Sequence, residues 1–197
     1  MSYTTEFAVV MHIPLIRFSW EALALVWLFG VLHTKPTLRT ADLRLRIASI
    51  ATLLLGFFLI VSDWAPSWLV MRGPLLGDPA LQFTGEALTL VGCAFAIWAR
   101  LALGGNWSGR PTIKAGHELV VSGPYKLARH PIYTGLLVAV IGTTLADLQW
   151  RRVIGAAMIT VALLLKMRQE ERLMIEAFPD LYPQYQRRVR ALIPGMF

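Results

Sequence analysis

The chain has 197 residues, of which 56% are hydrophobic and only 16% are charged, and its mean hydropathy is +0.56. Its 19 Lys and Arg residues outnumber its 12 Asp and Glu residues, which gives a net charge of +7. This composition excludes an ordinary soluble domain, because a chain of this size has too few polar residues to cover its surface. The basic residues lie in short loops between apolar runs, which indicates an integral membrane protein and argues against a nucleic-acid partner.

Five apolar segments approach the length of about 20 residues that a helix needs to cross a bilayer. They lie at 13–32, 45–64, 83–103, 133–148 and 153–165, and the helical pattern of the last continues to residue 178. The link between the last two segments, 147–152, is short, which predicts an antiparallel hairpin. We therefore expect an all-α integral membrane protein with about five transmembrane helices, the last extended into the cytosol.

The connections add three expectations. The stretch 64–82 is rich in Pro and Gly and is predicted to be an irregular external loop. Trp107 follows the third segment and is interpreted as an anchor at the membrane surface. Within 179–197 we expect a short interfacial helix that places Tyr182 and Tyr185 at the level of the lipid headgroups.

The distribution of Lys and Arg predicts the orientation of the chain. With five spans, fifteen of these residues lie on one side, in the loops after the first and third spans and in the tail after residue 165. The other side holds only Arg72, Arg151 and Arg152. Because basic loops remain in the cytosol, the N-terminus is expected outside and the C-terminus inside.

Ionisable residues gather in two segments, 116–135 and 166–171, and the predicted topology places both segments on the cytosolic face. Such residues at the ends of membrane spans are costly to desolvate, so they are candidates for function. Pro131 suits the first position of the fourth helix, which puts His130 at the boundary between membrane and water. No two histidines have the spacing of paired metal ligands, so no metal site is expected.

The two segments together resemble one protein family. The run from His117 to Gly135 reads H-x-L-V-x-S-G-P-Y-x-x-x-R-H-P-x-Y-x-G, and the pair Glu170 and Glu171 is followed by Phe178, Tyr182 and Tyr185. These features resemble the isoprenylcysteine carboxyl methyltransferase family, and residues 99–108 resemble its bacterial members. The resemblance covers residues 100–194, whereas the first two spans match only in hydrophobicity.

The resemblance implies S-adenosyl-L-methionine as the cofactor, held between the loop before the fourth span and the end of the fifth. The residues implied at the cofactor are Arg110, His117, Glu118, Leu119, Val120, Tyr125, Arg129, His130, Pro131, Ile132, Tyr133 and Glu170. The catalytic candidates are Lys166, Arg168 and Glu171. Lys166 occupies the register of the basic residue on the substrate side, where an arginine is expected, and Arg168 is the alternative.

The implied function is methylation of a carboxylate or another oxygen of a lipophilic or prenylated acceptor. Transfer to a phospholipid amine or a thiol, by a member of the same superfamily, remains an alternative, as does a membrane reductase that uses a nicotinamide cofactor. The expected organisation is one membrane domain, in which 1–82 provides two spans and 83–197 the catalytic core. The core comprises a cofactor loop at 104–132 and a tail at 166–197, facing the cytosol from a bacterial inner membrane.

Overall fold

The fold is built from long apolar helices. A computed structural model describes residues 3–31, 37–40, 43–61, 78–107, 112–114 and 119–192. In chain order the helices are α1 (Tyr3–Val31), α2 (Leu43–Val61), α3 (Pro79–Leu103), α4 (Pro131–Ala146), α5 (Trp150–Ala177) and α6 (Leu181–Arg188). All five predicted apolar helices are present among these. The short helix expected within 179–197 corresponds to α6, and α5 runs without a break through both glutamates of the 166–171 segment.

Two short strands were not predicted. β1 (Thr37–Thr40) and β2 (Thr112–Lys114) pair in antiparallel orientation. The all-α prediction omitted them because segments of three and four residues are too short to show an alternating pattern. The ribbon joins the loop after α1 to the loop after α3, two loops that the charge distribution had assigned to the same side of the membrane.

The membrane spans are only partly evident in the described residues. One helical stretch, Pro79–Asn106, is long and apolar enough to cross a bilayer by length and composition, whereas Ile47–Ile60 and Pro131–Ala146 are apolar but shorter. Large apolar side chains on the first two helices, such as Leu28 and Leu54, are about two-thirds exposed. The number of spans and their orientation remain predictions, and the external loop expected at 64–82 lies mostly outside the described residues.

α3 and α4 cross at a very short distance because glycines face each other at the contact. A Cβ atom added to Gly92 of α3 would lie 2.4 Å from the backbone nitrogen of Ala139, and one added to Gly142 of α4 would lie 2.5 Å from the carbonyl oxygen of Gly85. Small residues allow this close approach in helices that pack within lipid. A hydrogen bond between the buried hydroxyls of Thr89 and Thr143, at 3.1 Å, crosses the same contact.

The first two helices pack on different members of the bundle. α1 packs on α3, and the indole nitrogen of Trp20 donates a hydrogen bond to the Thr143 hydroxyl at 3.0 Å. α2 packs on α5, where Gly56 and Gly155 permit another close contact of backbones. The first two helices thus pack on different partners, α3 and α5, and both contribute side chains to one cavity.

Candidate active site

The start of α4 is held by the chain that follows α6. The backbone nitrogens of Arg129 and His130 donate to the carbonyl oxygens of Arg190 and Ala191 at 2.8 and 2.9 Å. The hydroxyl of Thr134 also donates to the Leu192 carbonyl at 2.8 Å. Pro131 is the first residue of the helix, as predicted, and His130 is its N-cap. Residues 190–192 thus fix the position of the segment that carries the candidate site residues.

Arg129 connects three parts of the chain. Its Nε and Nη2 atoms donate to Oε1 of Glu171 at 2.9 and 2.7 Å, and its Nη1 donates to the carbonyl oxygen of Val189 at 2.6 Å. The amide of Gln186 donates to Oε2 of Glu171 at 3.3 Å. Charge-assisted hydrogen bonds of this kind are about twice as strong as neutral ones. We name Arg129, Glu171, Gln186 and Val189 the tail clamp.

The carboxyl group of Glu171 is ionised over nearly the whole pH range. Burial acts to raise its pKa, but hydrogen bonds from His130 and Arg129, with their charges, outweigh burial and bring the pKa to about 2. The His130 Nε2 atom lies 3.2 Å from Oε1 of Glu171. Glu171 is therefore committed to neighbouring protein groups, which favours a structural part over the catalytic one implied by the resemblance.

Glu170 lies on the other side of the His130 ring. The hydroxyl of Tyr133 donates to Oε1 of Glu170 at 2.6 Å, and Nδ1 of His130 is 3.7 Å from Oε2. The rings of His130 and Tyr133 are stacked, with centroids 5.4 Å apart and planes inclined by 2°. This contact orients one glutamate oxygen and leaves the side chain of Glu170 about one-quarter exposed. Glu170 lines the cavity described next, whereas Glu171 does not.

A cavity of about 650 Å³ opens beside Glu170. Its polar groups come from α4, α5, α6 and the loops after α3 and before α4, whereas α1 and α2 contribute only apolar side chains. The polar and charged lining comprises Asn106, Tyr125, Arg129, His130, Tyr133, Lys166, Glu170, Tyr182 and Tyr185. The apolar lining from α1 and α2 comprises Leu23, Ala24, Trp27, Leu28, Leu53 and Phe57.

The two basic candidates of α5 point in different directions. Lys166 lines the cavity, and its Nζ atom lies 5.4 Å from the centroid of the Tyr133 ring. Arg168 is exposed and is not among the lining residues. Residues two positions apart on a helix project about 200° apart, so only one of them faces the cavity.

The structure brings most of the predicted site residues to this cavity. Its lining includes Leu119, Val120, Tyr125, Arg129, His130, Ile132, Tyr133, Lys166 and Glu170. Pro131 is buried as the first residue of α4, and Glu171 lies in the tail clamp behind the lining. Arg110, His117 and Glu118 lie outside the residues whose side chains the structure describes.

Three aromatic residues were assigned to the wrong environment. Trp107, expected at the membrane surface, is 8% exposed and lines the cavity. Tyr182 and Tyr185, expected among lipid headgroups, are also buried and line it. The Tyr185 hydroxyl donates to the carbonyl oxygen of Tyr125 at 2.5 Å, and burial raises the pKa of Tyr185 to about 12, so it remains a neutral donor. The spacing of Tyr182 and Tyr185 predicted that they share one face of α6, but it did not indicate what that face packs against.

A cavity with convergent polar groups on one side and apolar helices on the other is the arrangement of a protein that binds amphipathic small molecules. Residues 86–176 match the model of the isoprenylcysteine carboxyl methyltransferase (ICMT) family. The matched segment contains α4, most of α3 and all but the last residue of α5. The resemblance seen in the sequence is therefore confirmed over residues 86–176.

Individual relatives bear different names. The chain is 31% identical to a cobalt-zinc-cadmium resistance protein of Cupriavidus metallidurans over 149 residues, which cover 75% of this chain and 59% of the relative. It is 39% identical to methanethiol S-methyltransferase 1 of Bradyrhizobium diazoefficiens over 70 residues, which cover 36% of this chain and 24% of the relative. The chain therefore spans less than two-thirds of the length of these curated relatives.

Two further comparisons complete the set. A nickel-cobalt-cadmium resistance protein of Alcaligenes xylosoxydans is 26% identical over 139 residues, 68% of this chain and 56% of the relative. A solved structure of the eukaryotic intramembrane Ras methyltransferase ICMT superposes with a TM-score of 0.49 at 22% identity, covering 76% of this chain and 52% of that one.

Within the described part of the chain, no group of three or more His, Cys, Asp and Glu residues is arranged to hold a metal ion.

Proposed function

We propose that the chain is a membrane methyltransferase that uses S-adenosyl-L-methionine and modifies a lipophilic acceptor at its cytosolic surface. The observation that carries this proposal is the composition of the cavity. One accessible carboxylate and one accessible ammonium group, on Glu170 and Lys166, share the space with an apolar wall from α1 and α2. A polar cofactor and an apolar acceptor need these two kinds of surface side by side.

The residues at the polar side suit the cofactor. Glu170, oriented by Tyr133, is an acceptor for the ammonium group or the ribose hydroxyls, which are donors. The aromatic ring of Tyr125 provides a face that attracts a sulfonium cation. Leu119, Val120 and Ile132 provide apolar surface for a nucleobase. When bound, the cofactor would supply an electrophilic methyl group.

The chain itself contributes alignment and the exclusion of water. An acceptor that is already ionised, such as a carboxylate, needs no general base, because its pKa lies far below 7. Orientation in a dry cavity can lower the barrier of a two-reactant step by several kcal/mol. Lys166 is the cation placed to hold an anionic acceptor, and the apolar wall would hold its tail.

The atom that receives the methyl group defines two candidate functions. The family match favours a carboxylate or other oxygen, by analogy with the reaction in the family name. The similarity to a methanethiol S-methyltransferase over 70 residues favours transfer to sulfur. A phospholipid amine as acceptor and a nicotinamide-dependent reduction are the remaining alternatives.

The function is tested with purified protein and two measurements. We expect S-adenosylhomocysteine to bind, and Glu170→Gln and His130→Ala to weaken that binding while both variants remain folded. Labelled methyl groups should then pass from S-adenosylmethionine to a prenylcysteine analogue or to a thiol, and the product identifies the accepting atom. Wild-type protein that fails to bind S-adenosylhomocysteine would refute the proposal.

Lys166 and Arg168 form a matched pair of basic residues for the acceptor side. With saturating cofactor, Lys166→Ala should lower turnover of a carboxylate acceptor at least tenfold, about 1.4 kcal/mol, because a buried anion loses its counter-charge. Arg168→Ala, which removes a charge outside the cavity, should retain wild-type turnover. Wild-type turnover in both variants would show that the acceptor is not held as a carboxylate.

The orientation of the site is proposed from the charge distribution alone. A reporter fused after Phe197 is expected in the cytosol, and one inserted between Pro66 and Pro79 is expected on the outside. A cytosolic signal from the inserted reporter would contradict the five-span arrangement, since it would place the stretch between Pro66 and Pro79 on the cytosolic side.

A further inference from the structure

Arg100 is a buried cation that ordinary helix chemistry does not explain. It lies in the last turn of α3 and is 4% exposed, and its Nη1 atom donates to the carbonyl oxygen of Gly104 at 3.0 Å. That bond is the usual contact of a basic residue at a helix C-terminus. Its Nε atom, however, is buried without a hydrogen-bond partner among the described residues. A buried donor left in this way is costly, so the position needs another explanation.

The guanidinium group is held against the ring of Trp107. The Arg100 Cζ atom lies 4.2 Å from the centroid of that ring, a short cation–π contact. On α1, Gly30 provides the room for it, because a Cβ atom there would lie 2.2 Å from Nη2 of Arg100. Two helices and the loop after α3 therefore converge to place one cation on one face of Trp107.

Trp107 in turn borders the apolar side of the cavity. It lines the cavity and meets Trp27 of α1 edge to face, with ring centroids 6.1 Å apart. Among the described residues nothing accepts a hydrogen bond from its indole nitrogen, which is also not among the fully buried unpaired atoms. Arg100 thus fixes the ring from one face.

The charge behind the ring determines what the ring can contact. A cation on one face of an aromatic ring weakens the attraction of the ring for a second cation on its other face, since the two positive charges repel. A sulfonium cofactor is a cation, whereas an acceptor tail is neutral and an acceptor head is an anion or a thiol. The stacked Trp107 is therefore better suited to the acceptor than to the methyl donor.

We propose that Trp107 is a specificity-determining residue that contacts the lipophilic acceptor, and that Arg100 is a positioning residue that acts through it. This inference rests on the proposed methyltransferase function, because it assigns the apolar side of the same cavity. It extends the site to residues that sequence reasoning had placed at the membrane surface or left without a function.

The test measures two ligands separately on full-length protein in detergent. The probes are N-acetyl-S-farnesyl-L-cysteine for the acceptor and S-adenosylhomocysteine for the cofactor. Trp107→Ala should raise the Kd of the farnesyl probe about tenfold or more, as expected for the loss of a large buried aromatic contact, and leave the Kd of S-adenosylhomocysteine within about twofold. Trp107→Phe should restore most of the affinity. Trp98→Ala is the matched control, because Trp98 is an exposed tryptophan of α3 outside the cavity lining.

Arg100→Met tests the positioning step. Because Arg100 acts through the ring, this variant should also weaken binding of the farnesyl probe. The double variant Arg100→Met with Trp107→Ala should bind the probe no more weakly than Trp107→Ala alone. Additive losses, or equal losses for both ligands, would overturn the inference. The same holds if the wild type does not bind the farnesyl probe. Failure of the wild type to bind S-adenosylhomocysteine would refute the methyltransferase function. The role of Trp107 would then be judged from the Kd values of the farnesyl probe alone.

Discussion

Gly92→Leu is expected to prevent the protein from folding. The Cβ atom of any residue at this position would lie 2.4 Å from the backbone nitrogen of Ala139 and 2.6 Å from the carbonyl oxygen of Gly135. Backbone atoms cannot rotate away as side chains do, so α3 and α4 would have to separate along their whole contact. The cost should exceed the roughly 1–3 kcal/mol typical of an overpacked core and approach the total stability of a domain, about 5–15 kcal/mol.

The matched control for this prediction is Ala94→Leu. Ala94 lies two positions further along α3 and is exposed, so a larger side chain there meets no backbone. Both variants would be extracted in mild detergent and compared by size-exclusion chromatography and thermal unfolding. A monodisperse Gly92→Leu protein with the unfolding temperature of the wild type would contradict the close packing of the two helices.

Arg129→Met should nearly abolish turnover. The guanidinium bonds Glu171 and the Val189 carbonyl, and the α6 tyrosines that line the cavity lie next to those partners. Without the tail clamp the cavity loses the fixed position of Tyr182 and Tyr185. A displacement of about 1 Å in a site can lower a rate about 100-fold, and we expect at least that loss. Arg172→Met removes an exposed arginine of the same helical region and should retain wild-type turnover.

The same clamp predicts how stability depends on pH. The pKa of Glu171 is lowered from 4.5 to about 2, so its ionised form stabilises the folded state above pH 4.5, and this contribution is lost as the pH falls towards 2. Glu171→Gln should thus be less stable than the wild type at pH 7, by at most about 3 kcal/mol, and the difference should shrink at pH 3. Denaturant titrations at the two pH values measure it. A difference that grows on acidification would show that Glu171 is not held by cations.

The helices and the start of α4 were predictable from the sequence because they depend on local chemistry. Uninterrupted apolar runs can only be helices in lipid, and Pro131 marks a first helical turn wherever the helix lies. The register argument also separated Lys166 from Arg168, since the direction of side chains on one helix follows from the helical repeat.

The features that were missed depend on contacts between distant segments. Trp107 looks like any tryptophan near the end of a span until the fold places α1 against it. Gly92 is an unremarkable glycine in an apolar run, and only its partner on α4 shows why no larger residue fits. Likewise, β1 and β2 are too short to be recognised separately and exist because their two loops meet. Spacing within one segment carries no information about these partners.

The tail clamp also has a consequence for how the protein is made. Arg129 receives its partners from residues 42 and 60 positions later in the chain, at Glu171 and Val189. While the ribosome is still translating α5, the arginine has neither partner and keeps its hydration shell. It should therefore hold the start of α4 at the membrane surface during insertion. A nascent chain arrested before Glu171 would contain the apolar wall and most of the polar lining, but neither the partners of Arg129 nor the α6 tyrosines. Binding of the proposed cofactor should therefore begin only after the clamp has been synthesised.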